Sequence, residues 1–134
     1  MITIYVVDDS ATARQWMAGI LHDHHVIQLD GKEQLDRMID SQGFPTAIVS
    51  DVMMDGPQGY EIARERSARV PVILVSAVGP GTQESRERRD QARVLKVAFV
   101  AKENAERDLA GLVKGAVRKG TRHVRGYTGD TTAR

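Results

Sequence analysis

The sequence predicts an α/β fold: a single parallel sheet with helices on both faces. Two observations carry the prediction. Short runs rich in Val and Ile recur along the chain, separated by stretches with helical periodicity. The apolar runs are near-continuous rather than alternating, the pattern of strands covered on both sides.

The first run, residues 2–7 (ITIYVV), is β-branched and ends in acid. Ala13, Trp16, Met17, Ile20 and Leu21 then recur at helical spacing, with Ser10 or Thr12 as the N-cap. Residues 26–29 form a weaker second strand, and Leu35, Met38 and Ile39 a short second helical stripe. Residues 46–50 (TAIVS) are the third strand. Tyr60, Ile62 and Ala63, after Pro57 and Gly59, begin the third helix. Residues 72–76 (VILVS) are the fourth strand, and residues 82–95 a fourth helix whose middle, ESRERRDQAR, offers little apolar face. Residues 97–101 (VAFVA) are the fifth strand. Leu109, Leu112, Val113, Ala116 and Val117 line one face of the fifth helix. After Lys119 the periodicity stops. The expected division is a domain over residues 1–119 and a polar tail, or the start of a linker, over 120–134.

With 134 residues, one core suffices. The chain has no cysteine, which excludes disulfides and thiolate metal sites and suits a reducing cytoplasm. The apolar run after Met1 lacks the basic leader of a signal peptide, and no apolar stretch is long enough to span a bilayer. A net charge of +1 gives no electrostatic case for a nucleic-acid or membrane partner.

The residues that end the strands are the informative ones. The first strand runs into Asp8 and Asp9, the third into Ser50 and Asp51, the fourth into Ser76, the fifth into Lys102. In an open parallel sheet these ends share one edge, where ligands bind at the switch in strand order. Three carboxylates brought together repel one another and call for a cation, and an all-oxygen site suits Mg²⁺ or Mn²⁺. An ammonium and a hydroxyl add groups that hold a tetrahedral anion. Together these are the parts of phosphoryl transfer to an oxygen nucleophile.

The segments VVDDS, IVSDVMM, VILVSA and AFVAK resemble those of response-regulator receiver domains, over residues 2 to 118. The resemblance implies a five-stranded parallel sheet in the order 2-1-3-4-5, flavodoxin-like. It implies that Asp51 is the phosphoacceptor, that Asp9 binds Mg²⁺ directly and Asp8 mainly through water, and that the carbonyl of Met53 is a further metal ligand. It makes Ser76 the switch hydroxyl, Phe99 the switch aromatic and Lys102 the phosphate-binding lysine. The implied partners are a histidine kinase or histidine phosphotransfer protein and a downstream protein reached through the helix 4–strand 5–helix 5 face. The implied setting is the cytoplasm. Met53 and Val78 stand at the two mouth positions that bear on hydrolysis, and neither can activate water, which predicts a long-lived phosphoryl group.

The sequence departs from the family in several places. Asp55 and Glu103 stand where prolines are usual. With Glu103, the preceding peptide bond is expected to be trans. The segment between Asp51 and Ser76 is short, and the fourth helix is unusually charged, its arginines alternating with acids as in a salt-bridged exposed face. A degenerate receiver, binding partners without phosphorylation, is the alternative function. A flavin protein or a haloacid-dehalogenase-like phosphatase fits less well. The first βα turn has no phosphate-cradling loop, and Asp8 and Asp9 are adjacent rather than spaced by one residue. His22, His24 and His25 are expected to be solvated rather than metal ligands.

Overall fold

The computed structural model describes residues 1–79 and 81–128, with side chains described for 1–79 and 81–119. Strands and helices alternate: β1 (Thr3–Val7), α1 (Ala11–Ile20), β2 (His25–Leu29), α2 (Lys32–Gln42), β3 (Ala47–Asp51), α3 (Gln58–Arg66), β4 (Val72–Ser76), α4 (Gln83–Val94), β5 (Ala98–Ala101) and α5 (Lys102–Thr128). All strand pairings are parallel and the sheet order is β2-β1-β3-β4-β5.

The topology dictates which helix covers which face. The chain steps outward from β1 to β2, then returns across β1 to β3 and continues through β4 to β5. Parallel crossovers are right-handed, so the first crossover lies on one face and the next three, running the opposite way, on the other. The core divides accordingly. Ile4, Val6, Val49, Ile73, Val75 and Val100 pack with residues of α1 and α5, including Met17, Leu109 and Val113. Tyr5, Val7, Ile48, Val72, Leu74 and Phe99 pack with residues of α2, α3 and α4, including Leu35, Ile62 and Ala92. Alternate residues of each strand thus serve opposite cores, which is why the strand sequences are continuous apolar runs.

The helix boundaries follow local chemistry. Ser10, rather than Thr12, is the N-cap of α1 and accepts from the amide of Ala13. Trp16 lies on the predicted stripe but is only partly buried, whereas Met17 is enclosed. Thr82 caps α4 and accepts from the Ser85 amide, and α4 buries only Ser85 and Ala92, in keeping with its polar sequence. The fifth helix differs from expectation. It begins at Lys102, directly at the end of β5, and continues to Thr128, past the boundary expected at Lys119. Helical backbone needs no apolar stripe to propagate once nucleated by a packed first half, so loss of periodicity is a poor stop signal. The remainder of the expected tail, 129–134, lies outside the described residues.

Candidate functional site at the carboxyl edge of the sheet

The switch point of the sheet falls between β1 and β3, because the chain leaves β1 in opposite directions on its two sides. Asp8 and Asp9 follow β1 directly, and Asp51 is the last residue of β3. Their carboxylates meet: one oxygen from each of Asp8, Asp9 and Asp51 lies within 4.8 Å of the others. Asp8 is fully buried and Asp9 exposed, so the group opens to solvent on the Asp9 side.

Both oxygens of Asp8 are engaged. Oδ1 accepts from the amide of Ser10 at 2.9 Å, a turn that leads into α1, and Oδ2 lies 2.9 Å from Lys102 Nζ. Arg14 donates to the Asp8 carbonyl at 2.7 Å. Lys102 Nζ is 3.9 Å from Asp51 Oδ2. As the first residue of α5, Lys102 places its cation at the positive end of a helix, an unfavourable position that its ion pair with buried Asp8 offsets. Glu103 follows in the first turn of α5, where a carboxylate is favoured, and the described residues contain no cis peptide bond.

Asp51 is 8% exposed, and its Oδ1 accepts from the Val52 amide at 3.0 Å. Burial pushes its carboxyl up to about 6; Asp8 and Asp9 push the same way, while Lys102 and the Val52 amide pull it down. An excess of negative charge around a buried carboxylate is the condition a divalent cation relieves. The donor set is all oxygen and one side is open to water, so Asp8, Asp9 and Asp51 fit Mg²⁺ or Mn²⁺. Asp55, which stands where the family usually has proline, is exposed at a left-handed φ of 52° and does not join the three-carboxylate group.

Gly59 fixes how closely α3 approaches the site. A Cβ there would collide with the carbonyl oxygen of Asp51 and come within 2.6 Å of the Val52 Cα. Only glycine lets the start of α3 lie on the end of β3, and its amide donates to the Val52 carbonyl at 2.9 Å.

Ser76 ends β4 on the face that packs against α4, two residues beyond Leu74 of the same core. Its hydroxyl is fully buried and accepts from the Val78 amide at 3.2 Å and from Arg88 Nη1 at 2.9 Å. Arg88 Nη2 is held by Glu84 at 2.8 Å. By its sequence Arg88 belongs to an exposed charged face; instead its side chain is only 18% exposed. The signal is present in the spacing. Arg88 lies three residues after Ser85 and four before Ala92, the buried stripe of α4. Phe99 is buried, and the guanidinium of Arg89 lies 5.0 Å from its ring centre. Met53 is exposed at the loop after β3 and Val78 half-buried. His22, His24 and His25 lie in the α1–β2 turn and the start of β2 and do not join the carboxylate group: His22 pairs with Asp23, and His24 Nδ1 accepts weakly from the Ile2 amide at 3.5 Å.

No protein-family model matches the chain. No curated protein matches it. Solved structures do, and most are response-regulator receiver domains. A response regulator receiver domain protein from Clostridium thermocellum is 19% identical with a TM-score of 0.76, over 90% of this chain and 98% of that one. The N-terminal domain of a response regulator/sensory box/GGDEF three-domain protein from Carboxydothermus hydrogenoformans is 22% identical with a TM-score of 0.73, over 91% and 98%. NtrX from Brucella abortus, in complex with ADP, is 25% identical with a TM-score of 0.74; 99% of this chain matches 30% of that one. The chain has the five-stranded receiver fold of these proteins.

Proposed function

We propose that this protein is a phosphoacceptor receiver of a two-component phosphorelay, with Asp51 as the residue that takes the phosphoryl group. The observation that carries the reading is the convergence of Asp8, Asp9 and Asp51 within 4.8 Å, with Lys102 bridging two of them. A carboxylate oxygen of Asp51 forms the O–P bond as the P–N bond of a phosphohistidine breaks. The departing imidazole takes up a proton. Asp8, Asp9 and Asp51, with the Met53 carbonyl, would hold Mg²⁺, which would supply positive charge to the oxygens of the transferring group. Lys102, already 3.9 Å from Asp51, exchanges its contact with Asp8 for a phosphoryl oxygen. The Ser76 hydroxyl donates to another. The protein catalyses transfer within its own pocket and turns over no external substrate.

The partners on this reading are a histidine kinase or histidine phosphotransfer protein upstream and a protein downstream. The α4–β5–α5 face suits the latter: it holds an open cavity of about 390 Å³ lined by Arg89, Phe99, Asn104, Asp108 and Leu112 among others. Phe99, as the switch aromatic, is part of its lining. The reading places the chain in the cytoplasm, and no helix among the described residues is long and apolar enough to cross a membrane.

Calorimetric titration with Mg²⁺, with and without beryllofluoride, tests the assembled site. The parent is expected to bind Mg²⁺ weakly alone and more tightly with the phosphoryl mimic, because the anion completes the ligand set. Asp9→Ala is expected to lose most of both. If beryllofluoride leaves the Mg²⁺ affinity of the parent unchanged, the protein is an interaction module without phosphoacceptor chemistry. If Asp9→Ala binds like the parent, the metal is held elsewhere.

A further inference from the structure

We infer that Arg88 of α4 is a positioning residue for phosphoryl transfer, acting through the hydroxyl of Ser76; the inference rests on Asp51 being the phosphoacceptor. Ser76 Oγ is fully buried and accepts two hydrogen bonds, from Arg88 Nη1 at 2.9 Å and from the Val78 amide at 3.2 Å. A serine hydroxyl has two lone pairs and one proton. With both acceptor directions filled, the proton is left to donate, and it has no acceptor among the described residues. The two donors therefore fix the rotamer and reserve the O–H for an incoming anion. A hydroxyl that accepts from a cation is also a stronger donor than one that accepts from a neutral group.

Arg88 is built for this rather than resting there. Its other terminal nitrogen is clamped by Glu84 at 2.8 Å, and the side chain is largely shielded. A planar guanidinium engages the two partners through separate nitrogens in a fixed fork, a geometry that the single ammonium of a lysine lacks. Its charge also reaches Tyr60, whose hydroxyl burial pushes up and Arg88 pulls down. Cations from two helices thus engage groups at the ends of the strands: Lys102 of α5 on Asp8 and Arg88 of α4 on Ser76. Because α4 buries little else than Ser85 and Ala92, the arginine is a principal tie between this helix and the site.

The test is a double-mutant cycle on the rate of phosphorylation by phosphoramidate with Mg²⁺, followed by intact-mass spectrometry. Arg88→Ala is expected to slow the parent by roughly threefold to tenfold, the range for the net worth of a typical intramolecular hydrogen bond. In a Ser76→Ala background the same substitution is expected to change nothing, because the group it positions is gone. If Arg88→Ala is as fast as the parent, or slows the Ser76→Ala protein as much as it slows the parent, the inference is wrong. A parent that gains no phosphoryl mass overturns the phosphoacceptor reading and this inference with it, an outcome distinct from the other two. Should Arg88→Ala not fold, Arg88→Met keeps the aliphatic stem without the donors and makes the same comparison.

Discussion

Asp51 is held in conflict. It must be ionised to act as a nucleophile, yet burial, Asp8 and Asp9 all favour its protonated form, with Lys102 and one amide opposing. The conflict has a measurable consequence in metal-free buffer. The unfolded chain ionises this carboxyl near 3.8, whereas the folded protein keeps the proton until about pH 6. Between those values the folded state binds more protons, so stability is lost as pH rises through the window. Asp51→Asn never ionises. At pH 7 it should be more stable than the parent by about 1–3 kcal/mol, and the advantage should shrink toward pH 4. Denaturant melts at both pH values in chelator check this; an advantage independent of pH would show that charge is not the cause. On the proposed function, two neighbours would set the lifetime of a phosphorylated state. Met53 and Val78 offer no group to hold a water in line with phosphorus, so a phosphoryl group on Asp51 should persist, and Met53→Asn and Val78→Glu should lose it faster. Decay of the phosphorylated protein with Mg²⁺ present is the measurement, and equal or longer lifetimes in both variants would remove the shielding argument. Most of these residues are legible in the sequence, because Asp8, Asp9, Asp51, Ser76 and Lys102 all end buried apolar runs. Arg88 is not, because a run of alternating charges reads as solvated unless the small residues Ser85 and Ala92 are recognised as the inward face.

At the scale of elements, the site depends on how closely α3 and α4 are seated. Gly59 is the contact point for α3. Because a Cβ there would meet backbone atoms of Asp51 and Val52, which cannot yield as a side-chain tip can, Gly59→Ala should cost about 2–3 kcal/mol. A thermal or denaturant melt gives the value, and a loss well under 1 kcal/mol would mean that α3 lifts away freely. Helix α4 is seated differently. It has almost no apolar face, and its start depends on Thr82 accepting from Ser85. Thr82→Ala should therefore cost about 1 kcal/mol, read as faster amide exchange within α4 while β4 is unchanged. Uniform acceleration across the domain would mean instead that α4 unfolds only with the whole. On the proposed function, the same weakness would suit α4 to report the state of the pocket. Its ties to the sheet include Arg88 on Ser76 and Arg89 over Phe99, contacts that depend on how those residues stand.

The whole molecule is organised by one topological fact, the reversal of direction at β1. That reversal places α1 and α5 on one face and α2, α3 and α4 on the other, and opens the crevice where the carboxylates collect. Periodicity in the sequence reveals the alternation of strand and helix but not the order of strands, since parallel strands of similar composition carry no local mark of their neighbours. The order comes from resemblance, and the sheet agrees with it. The extent of α5 is illegible for a related reason: helical propensity without an apolar stripe leaves no periodic trace. The central claim, that this fold brings its acids together to make Asp51 a phosphoacceptor, is tested most directly by intact mass after incubation with acetyl phosphate or phosphoramidate and Mg²⁺. The parent should gain the mass of a single phosphoryl group only when the metal is present, and Asp51→Asn should gain none; an equal gain in Asp51→Asn, or no gain in the parent, would contradict it.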